Sequence, residues 1–179
     1  NPAVGGTWFE NTYPGCRVDV ANHFYCYSFE PNHGWSEYFS QQPELQAYFE
    51  RCSSEHGVRS HIRFETEVVA ARFDEATSRW SVRVRCGDGA EETLEAQALI
   101  SAVGQLNRPS IPQIEGMETF AGISMHSAQW DHSVDFTDKR VVVIGTGASA
   151  LQFTPAVAKV AEQQAAAADL LQVGRRGRV

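Results

Sequence analysis

The chain has 179 residues, a formal net charge of −7, and 42% hydrophobic and 21% charged residues, the profile of a globular protein of one domain or parts of two. The acidic balance argues against a general nucleic-acid binder, which needs a positive face to neutralise phosphates. No apolar run approaches the roughly 20 residues of a membrane-spanning helix, and the first residues lack the basic and apolar regions of a signal peptide, so neither membrane insertion nor export is expected. Cys16, Cys26, Cys52 and Cys86 show no C-x-x-C spacing, which favours buried thiols in a reducing cytoplasm over disulfides or metal ligands.

Residues 4–15 are rich in Gly, Pro and aromatics, lack either periodicity, and read as an ordered loop. Arg17 and Asp19 follow, then an aromatic run over 23–29 whose simplest role is core packing. Pro43 and Glu44 mark a helix start near Ser40. Leu45, Tyr48, Phe49 and Cys52 then form one apolar stripe through about His56. From residue 62 the period changes to two. Stretches 68–73, 80–85 and 93–96 alternate as strands, separated by turn residues at 74–78 and 87–89, and predict a three-stranded antiparallel meander. Residues 98–103 are continuously apolar, as in a strand buried on both faces, and the loop 104–109 closes that strand. Residues 109–138 carry scattered Pro and Gly and read as an interdomain connection.

The stretch 140–152, RVVVIGTGASALQ, organises the rest. Residues 141–144 have the composition of a buried parallel strand. Gly145, Gly147 and Ala150 fit G-x-G-x-x-G/A, the turn that carries a chain from a strand into a helix while its backbone approaches a pyrophosphate. The helix is expected from Ala148 to about Ala168, with Pro155 in its first turns or kinking it, and a second strand follows at 170–173. Where an NAD-specific fold carries Asp or Glu for the ribose hydroxyls, this chain has Arg175, Arg176 and Arg178, which suit a 2′-phosphate and favour NADP.

With those residues in view, the sequence resembles the type I Baeyer–Villiger monooxygenases. Phe120, Gly122, His126, Trp130 and Asp131 match the family fingerprint F-x-G-x-x-x-H-x-x-x-W-[P/D], and the GTGASA turn follows it. Gly5-Gly6-Thr7-Trp8, Asn11, Tyr13-Pro14-Gly15, Arg17, Asp19 and Tyr25-Cys26-Tyr27-Ser28-Phe29 are similar to the family's flavin-side segment. Asp131 in place of the commoner Pro, together with residues 16–19 and 104–109, is most similar to the 4-hydroxyacetophenone monooxygenase branch.

The resemblance implies an α/β fold: a two-dinucleotide-binding-domain flavoprotein with Rossmann-like parallel sheets and the meander, truncated here at both ends. Residues 1–109 would belong to the FAD-binding domain, 110–139 to the linker, and 140–179 to the start of the NADP-binding domain. Such enzymes reduce bound FAD with NADPH, react it with O2 to a flavin peroxide, and so convert a ketone to an ester or lactone. By this similarity Thr7, Trp8, Glu10, Tyr25, the backbone at Val68, Gly104 and Gln105 would contact FAD. Gly145, Thr146, Gly147, Ala148, Ser149, Ala150, Leu151 and Gln152 would hold the NADP pyrophosphate, and Arg175 and Arg176 its 2′-phosphate. Arg17 and Asp19 would serve catalysis near the nicotinamide, and the fingerprint residues a conformational role. The flavin carries the oxygen chemistry and the protein supplies positioning and electrostatics. The isolated stretch is expected to be inactive. The alternatives are an N- or S-oxygenating flavin monooxygenase, whose fingerprint ends differently from Trp130-Asp131, and a non-catalytic nucleotide-binding module.

Overall fold

A computed structural model describes residues 1–106 and 108–161. The expected strand at 170–173 and the arginines at 175, 176 and 178 lie outside the described residues.

The chain enters through α1, Thr7–Glu10, where a loop was expected. Gly5 (φ +118°) and Gly6 (φ +50°) make this short helix possible. Their left-handed backbone aims both carbonyls at the following turn, and the Gly6 carbonyl accepts from the N–H groups of Phe9 and Glu10. Helix α2, Gln42–Glu55, begins with Pro43 in its first turn, where a missing N–H costs nothing. The predicted stripe faces inward: Leu45, Tyr48 and Cys52 are buried. Leu45 joins Trp8, Tyr13, Cys16 and Val18 in the principal core cluster, with Tyr25, Trp35, Phe49, Trp130 and Phe153 packed around it. The 16–18 segment is held to the start of α2 by backbone bonds from Val18 N–H to Ser40 and from Gln42 N–H to Cys16. All four cysteines are free thiols.

The meander forms as predicted, with each strand somewhat longer: β1 Thr66–Asp74, β2 Arg79–Cys86 and β3 Glu91–Ala96, in the order β1-β2-β3 and antiparallel throughout. Its alternation is physical. Val82 and Val84 are buried, while Arg79, Arg83 and Arg85 point outward from the same strand. Arg85 lies opposite both Glu67 and Glu91 and pairs with each. Such opposite-charge pairs across a ladder, and the Phe73–Trp80 aromatic pair, are the contacts that favour one register.

Two predicted strands are corrected. Residues 98–103 and 141–144 form no strand, and much of their apolar surface is open: Ile100 is 87% and Val142 70% exposed. An apolar run of this kind is buried by strands and helices on both sides of it, and among the described residues no strand pairs with either run. A further difference is in α3, which runs Ala148–Val157 rather than to residue 168. Pro155 cannot donate to the carbonyl four residues back. The chain then tightens, with Lys159 and Val160 donating to Ala156 and Val157, and the Val160 carbonyl is taken by the Asp138 N–H.

Candidate functional site

The glycine turn has the backbone that its sequence requires. Gly145 lies at φ +115°, a left-handed conformation that disfavours any side chain, and Gly147 is the extended N-cap from which α3 departs at Ala148. No side chain caps α3, and a Cβ built on Gly145 or Gly147 would meet nothing within 4 Å. Ala148, Ser149 and Ala150 carry N–H groups that a helix cannot satisfy internally. The first intrahelical bond runs from Leu151 N–H to Gly147. Exposed glycines, free donors and the positive end of a helix dipole together fit an anionic diphosphate.

The second part of the site is built on α1. Trp8 is buried, donates from its indole N–H to the Tyr25 hydroxyl at 3.0 Å, and meets that ring edge-on. Beside it a cleft of about 670 Å³ is bounded by Gly6, Thr7, Glu10, Thr66, Gly87 and Val103, a size that suits a cofactor. Gly104 (φ +73°) and Gln105 follow Val103 directly. Val68 stands at a break in the β1–β2 register, where pairing skips from Val68 to Ala70. A bulge of this kind frees backbone groups from the ladder.

Between the two parts lies the 13–19 segment. The Arg17 guanidinium contacts Glu37 at 3.2 Å and the Gly15 carbonyl at 3.4 Å, and Asp19 is exposed. The Arg17 backbone is bound to α3: Gln152 Oε1 accepts from Arg17 N–H at 3.2 Å, and Gln152 Nε2 donates to the Arg17 carbonyl at 2.9 Å. Tyr13 donates to the same Oε1 at 2.9 Å. Burial, more than any neighbour, pushes the Tyr13 phenol up to about 12, so it stays a donor at physiological pH. Gly15 (φ +78°) allows this approach, because a Cβ there would sit 2.7 Å from the Gln152 carbonyl oxygen.

The fingerprint folds around local caps. His126 Nδ1 accepts from Ala128 N–H at 3.1 Å and starts a 3₁₀ turn, Ser127–Gln129. Trp130 packs on Phe153 of α3 with ring centroids 5.2 Å apart, and on Phe136 at 5.5 Å. The Asp131 carboxylate accepts from the Ser133 hydroxyl and N–H, which hold it below the usual carboxylate range. Phe120 is exposed, and its ring lies against Gly122, where a Cβ would displace it. The structure thus packs Trp130 on α3 and leaves Phe120 exposed, placements that the sequence did not specify. Nor did the sequence single out His132, whose Nε2 bonds Thr12 Oγ1 at 2.8 Å, or Phe153, which also meets Tyr13 edge-on at 6.2 Å. Neither residue carries a local pattern; only the packing of distant segments reveals them. Arg175 and Arg176 are not among the described residues.

Comparison with known proteins agrees with this arrangement. The flavin-binding monooxygenase-like family model matches residues 10–169. A Baeyer-Villiger monooxygenase of Streptomyces coelicolor is 44% identical over 155 residues, 87% of this chain and 29% of that protein. One from Pseudomonas aeruginosa is 42% identical over 169 residues, 94% of this chain and 31% of that protein. Among solved structures, OTEMO in complex with FAD and NADP superposes with a TM-score of 0.80 at 40% identity, over 91% of this chain and 32% of that one. The chain therefore spans about a third of the length of the proteins that it matches.

Proposed function

This chain belongs to the flavin-binding monooxygenase-like family, and we propose that the whole protein is an NADPH- and FAD-dependent Baeyer–Villiger monooxygenase. It converts a ketone, O2, NADPH and a proton to an ester or lactone, NADP⁺ and water. When bound, FAD supplies the activation of O2 and NADPH the hydride.

The residues of this chain bind and orient. Backbone N–H groups from Gly145 through Ala150 hold the NADP pyrophosphate at the start of α3, with Leu151 closing the turn beneath them. Arg175 and Arg176 provide the guanidinium forks for the 2′-phosphate. Thr7 and Glu10, which line the cleft, contact FAD together with Trp8, Tyr25, the Val68 backbone, Gly104 and Gln105. Arg17 and Asp19 lie between the two nucleotides, where their charges orient the nicotinamide. Phe120, Gly122, His126, Trp130 and Asp131 adjust the connection between the two sites, with Trp130 reaching α3 through Phe153.

The observation that best supports this reading is the uncapped glycine turn of α3 lying on the same body as the α1 cleft. Purified whole protein should consume NADPH in proportion to the ester formed from a responsive ketone, and NADH far less effectively. Arg175→Ala with Arg176→Ala should raise the KM for NADPH much more than that for ketone. Formation of sulfoxide or N-oxide products with no ester from any ketone tested would replace this reading by the heteroatom-oxygenating one.

A further inference from the structure

We propose that Gln152 is a positioning residue, not a nucleotide ligand: its carboxamide clamps the 13–17 loop to α3 and fixes the flavin-side segment relative to the nucleotide turn. The inference rests on the reading of residues 145–151 as the NADP seat.

The carboxamide is committed to protein partners at both ends. Its oxygen accepts from the Tyr13 hydroxyl and the Arg17 N–H, and its nitrogen donates to the Arg17 carbonyl. Donor and acceptor thus face the two polar groups of one residue, as a peptide unit does in an antiparallel pair. Glutamate would lack the donor, and leucine would lack both groups. A side chain with one N–H left over offers little to a phosphate, whereas the backbone N–H groups of Ala148 to Ala150 remain for it. The clamp joins segments 135 residues apart in sequence. Two further contacts hold it closed. Gly15 leaves room for the Gln152 main chain, and Phe153 inserts its ring between Tyr13 and Trp130. A dinucleotide seated on the first turn of α3 and the backbone of Arg17 therefore keep one spacing. Hydride transfer depends steeply on that spacing, since about 1 Å of misplacement can cost on the order of 100-fold in rate.

The test uses the whole protein with FAD bound, mixed anaerobically with NADPH, and follows flavin bleaching. Gln152→Leu should lower the limiting reduction rate about 10- to 100-fold while leaving the Kd for NADPH within about threefold of wild type. Tyr13→Phe, which keeps two of the three bonds, should lower the same rate by about 3- to 10-fold. A raised Kd with an unchanged limiting rate in Gln152→Leu would make Gln152 a nucleotide ligand and overturn the inference. Should Gln152→Leu not retain FAD, Tyr13→Phe decides, and a wild-type rate in that variant overturns the clamp. Wild-type protein that NADPH does not bleach overturns the NADP reading itself, and the clamp with it.

Discussion

Replacing Gly15 by alanine tests whether the flavin-side loop presses on α3. Two costs act at this position. The backbone is left-handed, with φ +78°, and a side chain there costs about 1–2 kcal/mol. The new Cβ would also stand 2.7 Å from the Gln152 carbonyl oxygen and 3.4 Å from its carbon. Both are backbone atoms of a helix and cannot swing aside, so loop or helix must shift, an overpacking cost of about 1–3 kcal/mol. Gly57→Ala separates the two costs, because Gly57 is also left-handed (φ +68°) but a Cβ there meets nothing within 4 Å. The contact is therefore the difference between the two variants, about 1–3 kcal/mol. Urea unfolding of the whole protein, followed by tryptophan fluorescence, measures it; Trp8 and Trp130, both packed in or against the core cluster, report on this region. Equal destabilisation by the two substitutions would refute the docking of the 13–17 loop on α3.

Tyr25→Phe removes the acceptor for the buried Trp8 indole N–H and should cost about 1–3 kcal/mol in denaturant unfolding; a change near zero would mean that the indole finds another partner. Leu45, fully buried at the centre of the core cluster, should lose about 2–5 kcal/mol on replacement by alanine, and a smaller loss would show that the core collapses around the gap. Glu30 carries a pH dependence. Its carboxyl is held below the usual carboxylate range, first by the hydrogen bond from Arg51 and then by that from His56. With the folded value the lower one, this stabilisation is complete above the unfolded pKa and is lost as pH falls through the folded value. Glu30→Gln should flatten that acid limb of the stability profile; an acid limb identical to wild type contradicts the assignment.

Local pattern carried the parts of the fold that need no distant partner. The meander was legible because Val82 and Val84 alternate with arginines whose glutamate partners lie on adjacent strands. Helix α2 was legible because Pro43, Glu44 and a four-residue stripe agree on one start and one face. The apolar runs at 98–103 and 141–144 misled for the complementary reason: composition states a demand for burial, and only neighbouring strands can meet it. In the site, Gly145 and Gly147 announced the turn through their spacing. The roles of Tyr13, Gln152 and Phe153 were hidden because their contacts join residues more than 130 positions apart. A carboxamide that pairs with a backbone amide leaves no periodic trace in the sequence.

In the proposed reaction, oxygen from O2 enters beside a ketone carbonyl with both nucleotides bound to the whole protein. Turnover of the whole protein under ¹⁸O2 with NADPH and a responsive ketone, analysed by mass spectrometry, tests it most directly. One ¹⁸O atom per ester is expected, at the bridging position, with its partner released in water. Ester carrying no label, or label confined to hydrogen peroxide while the ketone is returned unchanged, would contradict it.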